Sequence, residues 1–171
     1  MKRTLLLLIV LAFGISLVHG QTRIDEAKAK FIYNFTNFFE WPQGERQGDF
    51  VIGVLGSQDL YYELNDFTDG KKVILQQIAV KRFKSAGEVS NCHVVYVGED
   101  HTEEIPTVKS NSGKNTLVIS DSNSGLGIKK GAALNFLLRD NRLKYEFAAS
   151  NAMNQGLKFS SRIRDMAARN Y

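Results

Sequence analysis

The sequence predicts an α/β fold: a three-layer sandwich with a mixed, mostly parallel central sheet, an N-terminal aromatic helix, and a C-terminal β-hairpin followed by helix. Three observations point there. Short apolar runs closed by glycine or aspartate, at Phe50 to Leu55, Cys92 to Val97 and Thr116 to Ser120, read as strands buried on both faces, the habit of parallel sheets covered by helices. Segments of helical periodicity alternate with them. Later, Ala132 to Leu138 and Arg142 to Phe147 flank Arg139-Asp140-Asn141, the pattern of an antiparallel hairpin.

The chain opens with an export layout. Lys2 and Arg3 precede an apolar run from Leu5 to Val18, and Val18-His19-Gly20 ends in a small residue. That run is shorter than the ~20 residues a membrane-spanning helix needs, so residues 1–20 are expected to be a signal peptide cleaved near Gly20/Gln21, leaving 21–171 as a single domain. The whole chain carries a formal charge of +4, and loss of Lys2 and Arg3 takes 22 basic against 18 acidic residues to 20 against 18, near +2, too mild a balance to indicate nucleic acid. Cys92 is the only cysteine, so no internal disulfide is available; it opens an apolar run and reads as a small buried hydrophobe, with an exposed thiol the alternative.

From Ile24 to Trp41, Ile24, Ala27, Phe31, Phe35, Phe38 and Phe39 recur at helical spacing. Pro42 should stop this helix near Phe39 or Glu40. Its aromatic stripe reads as core, with room for part of the face to stay exposed as a partner site. Gln43 to Gly48 is a polar loop. Ser57 can cap a short helix from Gln58 to Phe67, ended by Asp69-Gly70. Val73 to Phe83 reads as a strand, Ser85 to Asn91 as a connector, and His101 to Ser110 as a helix that Pro106 limits to a turn or two. The glycines of Ser122 to Gly131 suggest an irregular loop. Ser150 to Ala168 reads as helix, broken at Gly156 and at Ser160-Ser161.

The catalytic inventory is thin. His19 leaves with the signal peptide, His93 starts a buried strand, and His101 stands among Glu99, Asp100, Glu103 and Glu104, a surface charge cluster without a second histidine or cysteine at ligand spacing. No serine sits in a nucleophile elbow. Ser124-Gly125-Leu126-Gly127 lacks the Gly-Lys-Ser/Thr ending of a phosphate loop and is expected to run into a strand rather than a helix. The sequence therefore predicts neither an enzyme nor a metal or cofactor site. Asp121 ends a buried strand at the edge where open sheets hold ligands, or is an Asx turn. Lys158, Arg162, Arg164 and Arg169 make the last segment basic, either a solvated face or a contact for an acidic partner or lipid headgroups.

Read in order, Ala29 to Phe35 running into Phe39-Glu40-Trp41-Pro42, the Phe50 to Gly56 strand, Cys92-His93-Val94-Val95-Tyr96-Val97-Gly98, Thr116 to Asp121, Gly131 to Phe136, Arg142 to Phe147 and Gly156 to Ser161 resemble the YfiR-like family of periplasmic regulatory proteins. The resemblance spans Glu26 to Ala168. It implies a periplasmic protein that binds and represses a membrane-bound signalling protein such as a diguanylate cyclase or sensor kinase, is sequestered by an outer-membrane lipoprotein, and thereby sets cyclic di-GMP and biofilm behaviour. A homodimer is open. A small-ligand binding module at the sheet edge is the alternative reading. The candidate partner or ligand contacts are Asp121, Leu126, Asn135, Phe136, Arg162 and Arg164. A disulfide-based redox response, which the resemblance would otherwise bring, is excluded by the lone Cys92.

Overall fold

The computed structural model describes residues 24–171; the expected signal peptide lies outside them. Helix α1 covers 24–35 and stops short of the expected Phe39. Thr36 closes it by donating its hydroxyl to Tyr33 O at 2.7 Å. Phe39–Glu40 then extend as a short strand, β1, because their backbone pairs antiparallel with Lys158–Phe159 near the C-terminus. A helix and a strand compete for the same backbone groups, and the long-range pairing wins here.

Next come β2 (Phe50–Leu55), α2 (Gln58–Thr68), β3 (Lys72–Val73) and β4 (Gln76–Phe83). Ser57 caps α2 as expected, accepting from the Leu60 N–H at 3.2 Å. The single strand expected from Val73 to Phe83 is a hairpin, β3 pairing antiparallel with β4 around Ile74-Leu75. Strand β5 (Val94–Val97), α3 (Ile105–Ser112) and β6 (Leu117–Asp121) follow, with Pro106 in the first turn of α3, where its missing N–H costs nothing. The stretch expected to be an irregular loop holds helix α4 (Leu126–Lys130); Gly125 and Gly131 are its two caps rather than signs of disorder. Strands β7 (Leu134–Arg139) and β8 (Arg142–Phe147) form the expected hairpin, with Asp140 and Asn141 at positive φ in its two-residue turn.

The expected final helix is four pieces: α5 (Ala149–Asn154), β9 (Lys158–Phe159), α6 (Ser161–Asp165) and β10 (Arg169–Asn170). Two of the three breaks fall at the predicted Gly156 and Ser160-Ser161; the third, at 166–168, was not expected. What periodicity could not show is that β9 pairs with β1 and β10 with β8, so the backbone between the breaks is satisfied by strands.

The main sheet runs β10-β8-β7-β6-β5-β2-β4-β3. Its parallel strands stand in the order β4-β2-β5-β6-β7, the doubly wound arrangement in which the chain starts centrally, moves one strand outward and returns the other way. Helices accordingly cover both faces. On one, Ile52, Val54, Val94, Tyr96 and Ile119 pack beneath α1 and α2; on the other, Val95, Val97 and Val118 pack beneath α3. The sandwich is therefore three-layered and mostly parallel, as the sequence predicts, with antiparallel strands at both ends.

Candidate functional site

A doubly wound sheet leaves its ligand crevice where the strand order reverses, here between the C-terminal ends of β2 and β5. That crevice is packed. The Gly98 N–H donates to Leu55 O at 2.9 Å. A side chain at Gly98 would meet Gly56 O at 3.0 Å, and one at Gly56 would meet the His101 ring at 2.6 Å. His101 itself is held by Glu104, Nδ1 to Oε1 at 2.6 Å.

One strand further along, Asp121 ends β6 and is drawn into a cluster with α1. Lys28 Nζ lies 2.5 Å from Asp121 Oδ2 and 3.3 Å from Asp25 Oδ1, and only 7% of the Lys28 side chain is exposed. The Tyr96 hydroxyl donates to the same Asp121 oxygen at 2.8 Å. Burial, reinforced by the Asp121 carboxylate, raises the Tyr96 pKa far above the usual phenol range. The phenol therefore stays a donor. Lys28 bridges the two carboxylates and the Tyr96 hydroxyl gives Asp121 a second donor, so the set ties α1 to the sheet edge. Asp121 is thus an ion-paired group at the end of β6, with 23% of its side chain exposed.

Asn135 and Phe136, expected as contacts, are interior, because β7 lies between two neighbours with both faces covered. Asn135 Oδ1 accepts from the Ser120 hydroxyl at 2.7 Å and the Ser122 N–H at 2.9 Å; its Nδ2 donates to Ser122 O at 2.9 Å and Glu146 Oε2 at 3.0 Å. The amide's capacity is fully used. The network fixes the turn into α4, where a Cβ on Gly127 would stand 1.9 Å from Ser120 Oγ. Leu126 is half-buried in the first turn of α4. Only Arg162 and Arg164 of the expected contacts are exposed, on α6. The structure thus spreads the six residues over a strut, an interior network, a short helix and a surface.

The opening that does exist lies on the aromatic stripe. Phe31, Phe35 and Phe38 fall one turn apart along α1 and its closing turn, and face Leu143 and Tyr145, which share one side of β8. Met166 and Ala168 come in from α6 and the approach to β10. Together with Asn34, Asn37 and Lys144 they enclose a largely apolar groove of about 470 Å³. Its floor is rigid: the Phe35 and Tyr145 rings meet edge to face at 4.9 Å, Phe31 and Tyr145 at 6.1 Å, and Phe35 stacks on Phe136 at 5.9 Å. The Tyr145 hydroxyl donates to Ile163 O at 2.8 Å, which anchors α6 alongside. Burial, with a lesser push from Asp165, raises this phenol to about 12. Phe136 and Arg164 thus relate to the groove indirectly, one beneath it and one on the helix that supplies Met166. Sequence reading found the α1 half of the groove and missed Leu143, Tyr145 and Met166; the alternation of Leu143 and Tyr145 within β8 was the available signal.

At the N-terminal end of the central strand β5, His93 is a clasp. Its Nδ1 accepts from the Val51 N–H at 3.0 Å and its Nε2–H donates to Glu45 O at 2.7 Å, while the ring stacks on Phe50 at 4.5 Å. Burial pushes the Cys92 thiol up to about 11 against the pull of Lys81, which keeps it a protonated core residue. Among the described residues no three metal-ligating side chains come together, and no helix is long and apolar enough to cross a membrane.

In comparisons with known proteins, no curated protein is matched, whereas the family described as YfiR/HmsC-like matches residues 25–168, nearly all that is described here. The chain belongs to that family.

Proposed function

We propose that this member of the YfiR/HmsC-like family is an exported periplasmic regulator that binds the extracytoplasmic domain of a membrane-bound signalling protein, a diguanylate cyclase or sensor kinase, and holds it inactive. The family is periplasmic and regulatory and works through a partner protein. The observation that carries the reading is the groove. Interfaces are enriched in aromatic, methionine and arginine side chains, and the groove pairs a Phe and Tyr floor with Met166, 53% exposed, beside the basic helix of Arg162 and Arg164.

The energetics suit repression by contact. Taking a sensor from 99:1 active to 1:99 requires a preference for the inactive form of about 10⁴, roughly 5.5 kcal/mol. Two or three large side chains buried only in the inactive complex supply that order of energy, at ~1.5–3 kcal/mol each. A second protein with a matching apolar element, such as an outer-membrane lipoprotein, would release the sensor by competing for the same chain.

Deleting the gene should raise cellular cyclic di-GMP. A photo-crosslinker placed at Phe38 or Met166 should capture an inner-membrane sensor. Unchanged cyclic di-GMP together with no envelope sensor among the crosslinked products would overturn the reading.

A further inference from the structure

Charge is unevenly placed along this chain. Residues 24–135 carry 12 basic side chains against 15 acidic, and residues 136–171 carry seven against three. A short C-terminal part at +4 thus sits on a body at −3, and the fold gathers most of it at the β8 end of the sheet, in the β7–β8 hairpin, β10 and α6. The β3 end shows no such excess: residues 50–90, with Lys71 and Lys72 among them, carry five basic side chains against five acidic.

Arg139 and Arg142 stand directly opposite one another where the hairpin closes, a like-charge pair that weakens a hairpin taken by itself. Lys144 follows on β8, Arg169 lies on β10 in register with Glu146, and Arg162 and Arg164 are exposed on α6. The seventh, Lys158, faces Glu40 across β9 and β1. Among the described residues only Arg169 of the other six has a carboxylate within ion-pair distance, Glu146 Oε1 at 3.5 Å. That carboxylate is buried and also accepts from Asn135 Nδ2 and the Tyr171 hydroxyl. Six cations against Asp140, Glu146 and Asp165 leave this end at +3.

Apolar surface is exposed among the cations, Leu138 beside Arg139 at 44% and Tyr171 two residues after Arg169 at 52%. Cations spread over a hairpin tip, a helix and an edge strand, rather than converging on one cavity, match a plane of many small anions. Arginine forks suit phosphate, and an exposed leucine and tyrosine between them suit the boundary of headgroup and acyl chain.

We propose that this end of the molecule docks on an anionic lipid bilayer, its arginines on headgroup phosphates with Leu138 and Tyr171 entering between them. The docking does not rest on the reading of the groove given above.

The test is cosedimentation of the purified protein with vesicles of phosphatidylcholine alone or with ~30% phosphatidylglycerol. Each cation near an anionic surface gains about 1 kcal/mol, or roughly fivefold in binding, so a net of +3 should favour the anionic vesicles on the order of 100-fold at ~50 mM salt, and the preference should fade by ~0.5 M. Arg139→Gln combined with Arg142→Gln should weaken binding roughly 25-fold, whereas Lys81→Gln combined with Lys84→Gln, at the balanced end, should leave it unchanged; thermal melts check that both variants fold. Equal binding to the two kinds of vesicle, or equal loss in the two double variants, would overturn the proposal. No binding at ~2 mM lipid would also overturn it and leave the face to an acidic protein. Release by ~10 mM inorganic phosphate at matched ionic strength would overturn it in favour of a soluble anion.

Discussion

The two halves of α1 do opposite work with the same kind of geometry. In the first, Lys28 turns inward between Asp25 and Asp121 and is nearly buried, paired with both carboxylates. In the second, Phe31, Phe35 and Phe38 turn toward β8 and leave a hollow that no described side chain fills. Polar groups taken out of water must be paired or the fold is lost, whereas an apolar surface left partly open costs only a few kcal/mol and is available for binding. The first half of the helix therefore positions, and the second presents.

The strongest way to break this contrast is to remove one partner from the strut. Lys28→Met leaves Asp25 and Asp121 without their shared ammonium, and should cost about 3 kcal/mol of stability, read from the urea midpoint. Phe38→Ala, at the half-buried groove side, should cost about 1 kcal/mol by the same measurement. Equal losses would erase the distinction between the two halves.

Alkaline titration sharpens it from the other face. Tyr145, beneath the groove, keeps its proton when folded to about pH 12, whereas unfolded tyrosines release theirs near 10. The native state then holds more protons than the unfolded one, so stability is intact below pH ~10 and falls between ~10 and 12. Tyr145→Phe should flatten that fall by up to ~1.4 kcal/mol per pH unit; an unchanged slope would show that the phenol is not held as described.

A smaller effect is expected at the far end of the sheet. Ile74→Gly relieves the left-handed strain and should stabilise the protein by about 1 kcal/mol, read from the urea midpoint. No gain would show that the turn is not strained at Ile74.

How much of this was legible in the sequence follows from where the controlling contacts lie. Strands β2, β5 and β6, the capped helix after Ser57 and the Asp140-Asn141 turn are governed by local pattern, and the structure places them where the pattern does. The segments misread are those whose partners are far along the chain. Phe39-Glu40 continues a helical periodicity until Lys158-Phe159 supplies strand pairing, and the C-terminal stretch has helical spacing but is claimed by β1 and β8. Gly125 and Gly131 look like a loop until they are seen bracketing α4. For the site, the aromatic stripe was visible as a concentration of phenylalanine, but which part stays open depends on how β8 and α6 close around it. Asn135 and Phe136 stand out in the sequence because the interior needs them, which is a different demand from contact with a partner.

The central claim is that the groove, and not the strut or the sheet edge, does the regulatory work. Its most direct test is cyclic di-GMP in cells whose only copy of the gene carries Met166→Glu, with the protein's abundance and melting temperature checked against wild type. The account predicts a normally folded, normally abundant protein and cyclic di-GMP at the level of the deletion strain. Full repression by that variant would contradict it.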